Sequence, residues 1–188
     1  MSGAGPGVSR TGPDAQPGEV AQGTGRVGVL ASGWRWLPVA AAVIALDQLS
    51  KAWIVRHVNY GGIIHLLPVL DLTLRYNPGA AWSLLAGAGG WQRWLFTGLA
   101  VAVGLGLLAW LRRIDARAHR LLAFALTLIM AGAIGNLIDR LYLGHVVDFI
   151  LAHWDTSEFP AFNVADSSIT VGAALLLLDT WTDRKRSM

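Results

Sequence analysis

Four apolar runs constrain this chain more than any other feature. They are WRWLPVAAAVIALDQLSKAWIV at about 34–55, WLFTGLAVAVGLGLLAWL at about 94–111, LLAFALTLIMAGAIGNLIDR at about 121–140, and FNVADSSITVGAALLLLDTW at about 162–181. Each approaches the ~20 residues that cross a ~30 Å hydrocarbon core at about 1.5 Å per residue. Lipid offers backbone amides no partner, so runs of this length are expected as helices. Buried helices of a soluble bundle are the alternative, but four such runs would leave almost no polar surface. Composition agrees: 54% of the 188 residues are hydrophobic and 14% charged, against roughly a quarter charged in soluble domains.

The basic residues orient the spans. Arg10, Arg26 and Arg35 precede the first run, Arg112, Arg113, Arg117 and Arg120 fill the link between the second and third, and Arg184, Lys185 and Arg186 close the chain. Together they make ten of the 15 Lys and Arg residues. Four spans put all three places on one side, and the positive side is cytoplasmic. Both termini are therefore expected inside, with the connections at about 56–93 and 139–161 outside. The net charge of +3 flanks spans and gives no support to nucleic-acid binding. Trp34, Trp36, Trp91, Trp94, Trp110 and Trp181 sit near segment ends, as interfacial anchors do.

Residues 1–33 are rich in Gly, Pro, Ser and Ala without apolar periodicity. They read as a disordered N-terminal tail, with no charged start and apolar core of a cleaved signal peptide. Residues 34–182 form the transmembrane domain and 183–188 a basic cytoplasmic tail. In the outer connection 57–90, IIHLLPVLDLTLRY suggests short strands broken at Pro68, followed by an Asn77-Pro78-Gly79 turn. The fold class expected is an all-α membrane protein of four transmembrane helices, with a small extracytoplasmic β element and an outer loop or helix near the functional site. The absence of cysteine excludes a thiol nucleophile, a thiolate metal site and disulfides.

Depth brings the polar groups together. Asp139 lies ~27 Å along the third helix from its cytoplasmic start. Asn136, Asp139 and Arg140 share a helix face. Asn163, Asp166 and Ser167 repeat that spacing where the fourth helix enters, placing Asp166 ~6 Å below the outer surface. Asp148 lies on the connection between them. Ionisable groups at this depth are costly and point by default to function, although a wet helix end is the plainer account of any one of them.

Two carboxylates sharing one proton can hydrolyse an amide without metal or nucleophile: one takes a proton from water, the other protonates the leaving amine. Asp148 and Asp166 are the candidates. Asp139 and Arg140 are expected to form a structural pair. Asp47 and Lys51, at i and i+4, read as a membrane-embedded ion pair with Lys51 snorkelling outward, or as a substrate contact. A metal site at His145, His153 and Asp148 is conceivable, but the five histidines are scattered and no HExxH occurs.

Four blocks in order, DQLSK (47–51), NPGAAWS (77–83), GNLIDRLYLGHVVDFI (135–150) and FNVADSSI (162–169), resemble those of lipoprotein signal peptidase, the type II signal peptidase of bacteria. The match covers about 34–182. The resemblance implies a membrane aspartic endopeptidase that acts on prolipoproteins carrying a diacylglyceryl cysteine and cuts just before that cysteine. It places the catalytic aspartates at Asp148 and Asp166. It gives support or substrate contact to Asn77, Gly79, Ala80, Asn136, Asp139, Arg140 and Asn163, and matches Asp47 and Lys51 to the first-helix motif. It implies no cofactor and no metal, prolipoproteins and membrane lipids as partners, no need for an oligomer, and a multi-pass place in the bacterial inner membrane with the site near the outer leaflet. Trp82 departs from the family's usual Phe. A small transporter or channel with a charged outer vestibule is the alternative reading.

Overall fold

The computed structural model describes residues 28, 31–79, 89–155 and 157–186. Most of the expected N-terminal tail, and Ala80 to Ser83 of the second motif block, lie outside the described residues. A short 3-10 turn (Gly33–Trp36) leads into α1 (Leu37–His57). Strands β1 (Ile63–Leu67) and β2 (Leu70–Asn77) follow, then α2 (Trp91–Arg113) and α3 (Arg120–Tyr142). Strands β3 (Val146–Trp154) and β4 (Ser157–Glu158) precede α4 (Val164–Arg186). All four α-helices include a stretch long and apolar enough to cross a membrane.

Helix α3 is the centre of the bundle. It packs against α1, α2 and α4, and α1 also touches α4. Close packing of α3 and α4 depends on glycine. A Cβ on Gly132 would collide with the carbonyl of Ala165 and come within 2.7 Å of Ile169 Cγ1. One on Gly172 would stand 2.7 Å from the Ala125 carbonyl. Small residues let helix backbones approach where lipid removes any hydrophobic drive to associate.

Helix α1 is built inside out relative to a soluble helix. Its buried residues are Ala40, Asp47, Lys51 and Ile54, while Leu46, Leu49, Trp53 and Val55 are exposed. The polar stripe faces the other helices and the apolar faces are left to lipid, as the cost of a lipid-facing charge requires.

The two connections expected outside, α1–α2 and α3–α4, contribute to one antiparallel sheet of order β1-β2-β3-β4. The segment expected as a loop or helix between α3 and α4 is thus a strand, paired with β2 from Leu70↔Ala152 to Asn77↔Val146. VVDFIL is a short, nearly continuous apolar run rich in β-branched residues, and it is buried from Val146 to Phe149. Gly144 makes the transition possible. Its φ of 84° ends α3, and the amides of Leu143 and Gly144 both donate to the Asp139 carbonyl, at 2.7 and 3.2 Å. A left-handed residue just past a helix end is the usual glycine role. Ile54, Val58, Leu74, Val147 and Phe149 then fasten the sheet to the end of α1.

At the opposite end, Ser32 and Gly33 are buried, although they fall within the stretch expected as tail. Ser32 pairs with Asp115 in the arginine-rich α2–α3 link, and the Gly33 amide donates to the Ile114 carbonyl at 3.1 Å.

Candidate active site

Two groups of aspartates meet where the sheet caps the helices, and they differ in what holds them. Asp47 and Asp139 are held by a cation. Lys51 Nζ lies 2.8 Å from Asp47 Oδ2, 2.9 Å from Asp139 Oδ2 and 3.0 Å from Asn136 Oδ1. An ammonium has three donors, and all three are used. Lys51 is only 3% exposed, so it does not snorkel. Acceptors on α3 stand beside it, which satisfies the charge without water. Asp139 does not pair with Arg140 as the sequence suggested. Successive helix positions do not face each other, so Asp139 turns to α1 while Arg140 turns to the cleft.

These carboxylates also organise backbone. Asp47 Oδ1 accepts from the Ala165 amide at 2.9 Å, one of the orphan donors in the first turn of α4. Asp139 Oδ2 accepts from the Val147 amide at 3.0 Å and so fixes the start of β3. Gln48 Nε2 donates to Asp139 Oδ1 at 2.9 Å, to the Gly135 carbonyl at 3.1 Å and to Asp47 Oδ2 at 3.1 Å. Gly135 is required here, because a Cβ would stand 2.7 Å from Asp47 Oδ2.

Asp148 and Asp166 are held instead by neutral amides. Asn163 Nδ2 donates to Asp148 Oδ1 at 2.8 Å, and Asn77 Nδ2 donates to Asp148 Oδ2 at 3.1 Å. Asn136 Nδ2 donates to Asp166 Oδ1 at 2.7 Å. Asn163 and Asp166 form a reciprocal cap on α4. The Asp166 amide donates to Asn163 Oδ1 at 2.8 Å and the Asn163 amide to Asp166 Oδ2 at 3.3 Å. This is the capping box, with Asp in the third helical position. The local rule that starts α4 therefore also aims Asp166. Asn163 Nδ2 reaches Asn136 Oδ1 at 3.1 Å as well, so one run of amides links the two carboxylates. Among the described residues neither makes an ion pair within 4 Å.

Both acids line one cleft of about 820 Å³, together with Asn77, Asn136, Arg140 and apolar residues of the 159–162 segment and α4. That is within the ~300–1,000 Å³ of typical ligand sites. Burial pushes the Asp148 carboxyl up to about 7. The charge of Asp166 pushes the same way, and the Asn77 and Asn163 hydrogen bonds and Lys51 oppose it. Arg140 Nη2 donates to the Gly79 carbonyl at 3.2 Å, while the Gly79 amide donates to Asn77 Oδ1 at 3.0 Å. The Asn77–Gly79 turn is thereby clamped against α3.

The candidate site residues Asn77, Gly79, Asn136, Arg140, Asp148, Asn163 and Asp166 converge here, with Asp47, Lys51 and Asp139 behind them. Ala80 and Trp82 lie outside the described residues. The histidines weighed as ligands go elsewhere. The His145 ring packs tilted against Tyr76, with centroids 4.3 Å apart, and His153 Nε2 lies 3.2 Å from Asp71, away from Asp148. The sequence reading missed Gln48, although it precedes Lys51 by three residues and so shares its helix face. It also missed Arg93, whose Nε donates to the Arg140 carbonyl at 2.7 Å and Nη2 to the Leu141 carbonyl at 3.0 Å. A basic residue at the otherwise uncharged N-terminal start of α2 was the available signal.

The same arrangement of helices is known elsewhere. A bacterial membrane enzyme solved by the in meso method at 2.3 Å resolution superposes with a TM-score of 0.73 and 31% identity, covering 82% of this chain and 92% of that one. The lipoprotein signal peptidase of Shewanella halifaxensis is 51% identical over 154 residues, 82% of this chain and 90% of that protein. That of Pseudomonas aeruginosa is 49% identical over 152 residues, 80% and 89%. The family model described as signal peptidase (SPase) II matches residues 39–182, from the first turn of α1 to the far end of α4. With every element that builds the cleft inside that match, the chain belongs to the signal peptidase II family.

Proposed function

We propose that this protein is a membrane aspartic endopeptidase that removes signal peptides from diacylglyceryl-modified prolipoproteins, cutting just before the lipidated cysteine. The carrying observation is the division among the four aspartates. Asp47 and Asp139 share the buried Lys51 ammonium, a partner that marks them as structural. Among the described residues, Asp148 and Asp166 face one cleft with only amides at their oxygens, so a proton can reside on either.

The chemistry follows from that difference. Two buried carboxyls facing one cleft hold one proton between them near neutral pH, and their titration belongs to the pair. The ionised member accepts a proton as a water oxygen attacks the scissile carbonyl carbon. The protonated member polarises that carbonyl, and a proton is then delivered to the departing amine as the C–N bond breaks. Asn77, Asn136 and Asn163 keep the two carboxyls oriented through these steps. Asn77–Pro78–Gly79, clamped by Arg140, forms a fixed wall for the substrate backbone. Ile169 and Val171 on the cleft side of α4 offer an apolar path from the dyad into lipid for acyl chains. Membrane lipids are thus part of the binding surface, and one chain supplies every group named.

The site belongs at the extracytoplasmic rim, because the arginine-rich link and the sheet cap opposite ends of the bundle. The test is cleavage of matched peptides with and without diacylglyceryl on the cysteine. Cleavage of the lipidated peptide alone, lost in both Asp148→Asn and Asp166→Asn, is expected. Normal turnover by either variant would end the dyad assignment.

A further inference from the structure

The cleft carries a charged feature that the chemistry above does not use. Arg75 on β2 stands directly across from Asp148 on β3. Opposite residues of an antiparallel pair project from the same sheet face, and both line the cleft. The β2–β3 register shifts between Leu72 and Arg75, an irregularity of the kind that re-aims a side chain. Arg75 Nη2 lies 3.1 Å from Glu158 Oε2, with the side chains 48% and 50% exposed. Glu158 ends β4 and is followed at once by Phe159, Pro160, Ala161 and Phe162, all cleft-lining. The ion pair therefore joins β2 to the segment that forms another wall. A pair this exposed is weak and opens readily.

We infer that Arg75 selects substrates by charge: its guanidinium takes an acidic side chain in the segment just after the scissile bond, and Glu158 competes for it. The inference rests on the peptidase reading. An apolar signal segment stays in the bilayer, whereas the sheet lies beyond the helix ends, so the chain past the cut is the part that runs by Arg75. Extended chain advances about 3.3 Å per residue, so a group one strand away from Asp148 meets the first two or three residues after the cut. The planar guanidinium fork suits a carboxylate.

The experiment uses the full-length protein in detergent with zwitterionic lipid. Three diacylglyceryl peptides differ only at the second residue after the cysteine, carrying Asp, Asn or Lys. Removing the competitor with Glu158→Gln should raise the Asp-to-Lys ratio of kcat/KM by roughly threefold to fivefold, the size an exposed ion pair supplies. Arg75→Gln should lower that ratio, and Arg75→Glu should favour Lys. All these differences should shrink at 1 M salt, where the Debye length is about 3 Å. A general binding, lipid-contact or folding role would move the three peptides together, and that outcome overturns the inference. An Asp148→Asn control separates the two readings. If the native protein cuts all three peptides and the control cuts none, a flat charge preference sinks the selection alone. If the native protein cuts none, the peptidase reading falls first and the selection with it.

Discussion

Helices α2 and α3 are each 23 residues long, and each passes as a membrane span, yet they occupy opposite kinds of surroundings. α2 buries only Gln92, Thr97 and Leu111 and exposes Leu95, Leu99, Val101, Val103 and Leu105. α3 buries eleven residues between Ala123 and Asp139. In water the more apolar face would be the buried one. In lipid, hydrophobicity no longer sorts inside from outside. Small and polar residues do: α3 buries Gly132, Gly135, Asn136 and Asp139, whereas a Cβ on the mid-helix glycines of α2 would meet a neighbour no closer than 3.9 Å, and its Arg93 reaches α3 from the first turn. The helix that polar and small residues place at the centre thus carries the groups that hold the proposed dyad: Asn136 donates to Asp166, and Asp139 fixes the start of the strand that bears Asp148.

The largest effect should come from the acids themselves. Asp148→Asn and Asp166→Asn are expected to reduce cleavage of lipidated peptide at least about a hundredfold, the low end for loss of a general acid–base group. A change on the lipid-facing side, such as Leu99→Ala in α2, should leave turnover within about twofold. Equal losses at both places would break the distinction between the site that α3 supports and the peripheral helix.

Next comes the buried cation. Lys51→Met should destabilise the protein by about 3–5 kcal/mol, because Asp47 and Asp139 would remain buried without their charge partner. Thermal unfolding in detergent measures it. A loss below about 1 kcal/mol would mean that the ammonium is not what holds those carboxylates, and the division between structural and catalytic aspartates would then fail.

The third effect depends on pH. Asp148 holds its proton up to about 7, first through burial and then through the charge of Asp166, whereas an unfolded Asp releases it near 3.9. Between those values the folded state binds the extra proton, so stability should fall as pH rises, by at most about 1.4 kcal/mol per pH unit. Below about 4 the difference vanishes. Asp148→Asn mimics the protonated group, so its Tm should exceed that of the native protein at pH 8 and converge with it on acidification. Activity should fall on both sides of an optimum, on the alkaline side as the shared proton leaves and on the acid side as the second carboxylate takes one. A Tm difference that does not change with pH would show that Asp148 is not the group burdened by burial.

Much of this was legible in the sequence because the constraints are local. Span length, the arginine positions and the i, i+3 spacing of Asn136–Asp139 and Asn163–Asp166 all depend on one helix at a time. Pairings between elements were not legible. Asp139 was matched to Arg140 by adjacency, but its partner Lys51 lies 88 positions earlier on another helix. The strand character of 146–154 was missed because half of its ladder comes from β2, 69 to 82 residues earlier in the chain, although VVDFIL carried the β-branched signal. Arg75 and Glu158 gave no sign of each other, since nothing local marks a contact between a strand edge and a two-residue strand. The burial of Ser32 and Gly33 likewise depends on the α2–α3 link.

The smallest effect is the sharpest test of what makes α3 central. Gly106 in α2 and Gly132 in α3 are both mid-helix glycines, and intrinsic propensity alone predicts that alanine at either position gains roughly 0.5–1 kcal/mol. A Cβ on Gly106 meets nothing within 4 Å, so Gly106→Ala should realise that gain. A Cβ on Gly132 collides with the Ala165 carbonyl on α4, backbone that cannot rotate aside. Gly132→Ala should therefore cost about 1–3 kcal/mol, the usual penalty for overpacking. Ala165 is also the residue whose amide Asp47 caps, one position before Asp166. The displacement that accommodates the methyl should thus move the dyad, so Gly132→Ala should lower kcat along with Tm while Gly106→Ala leaves kcat alone. If both substitutions stabilise, α3 and α4 are not in backbone contact, and the positioning of Asp166 needs another explanation.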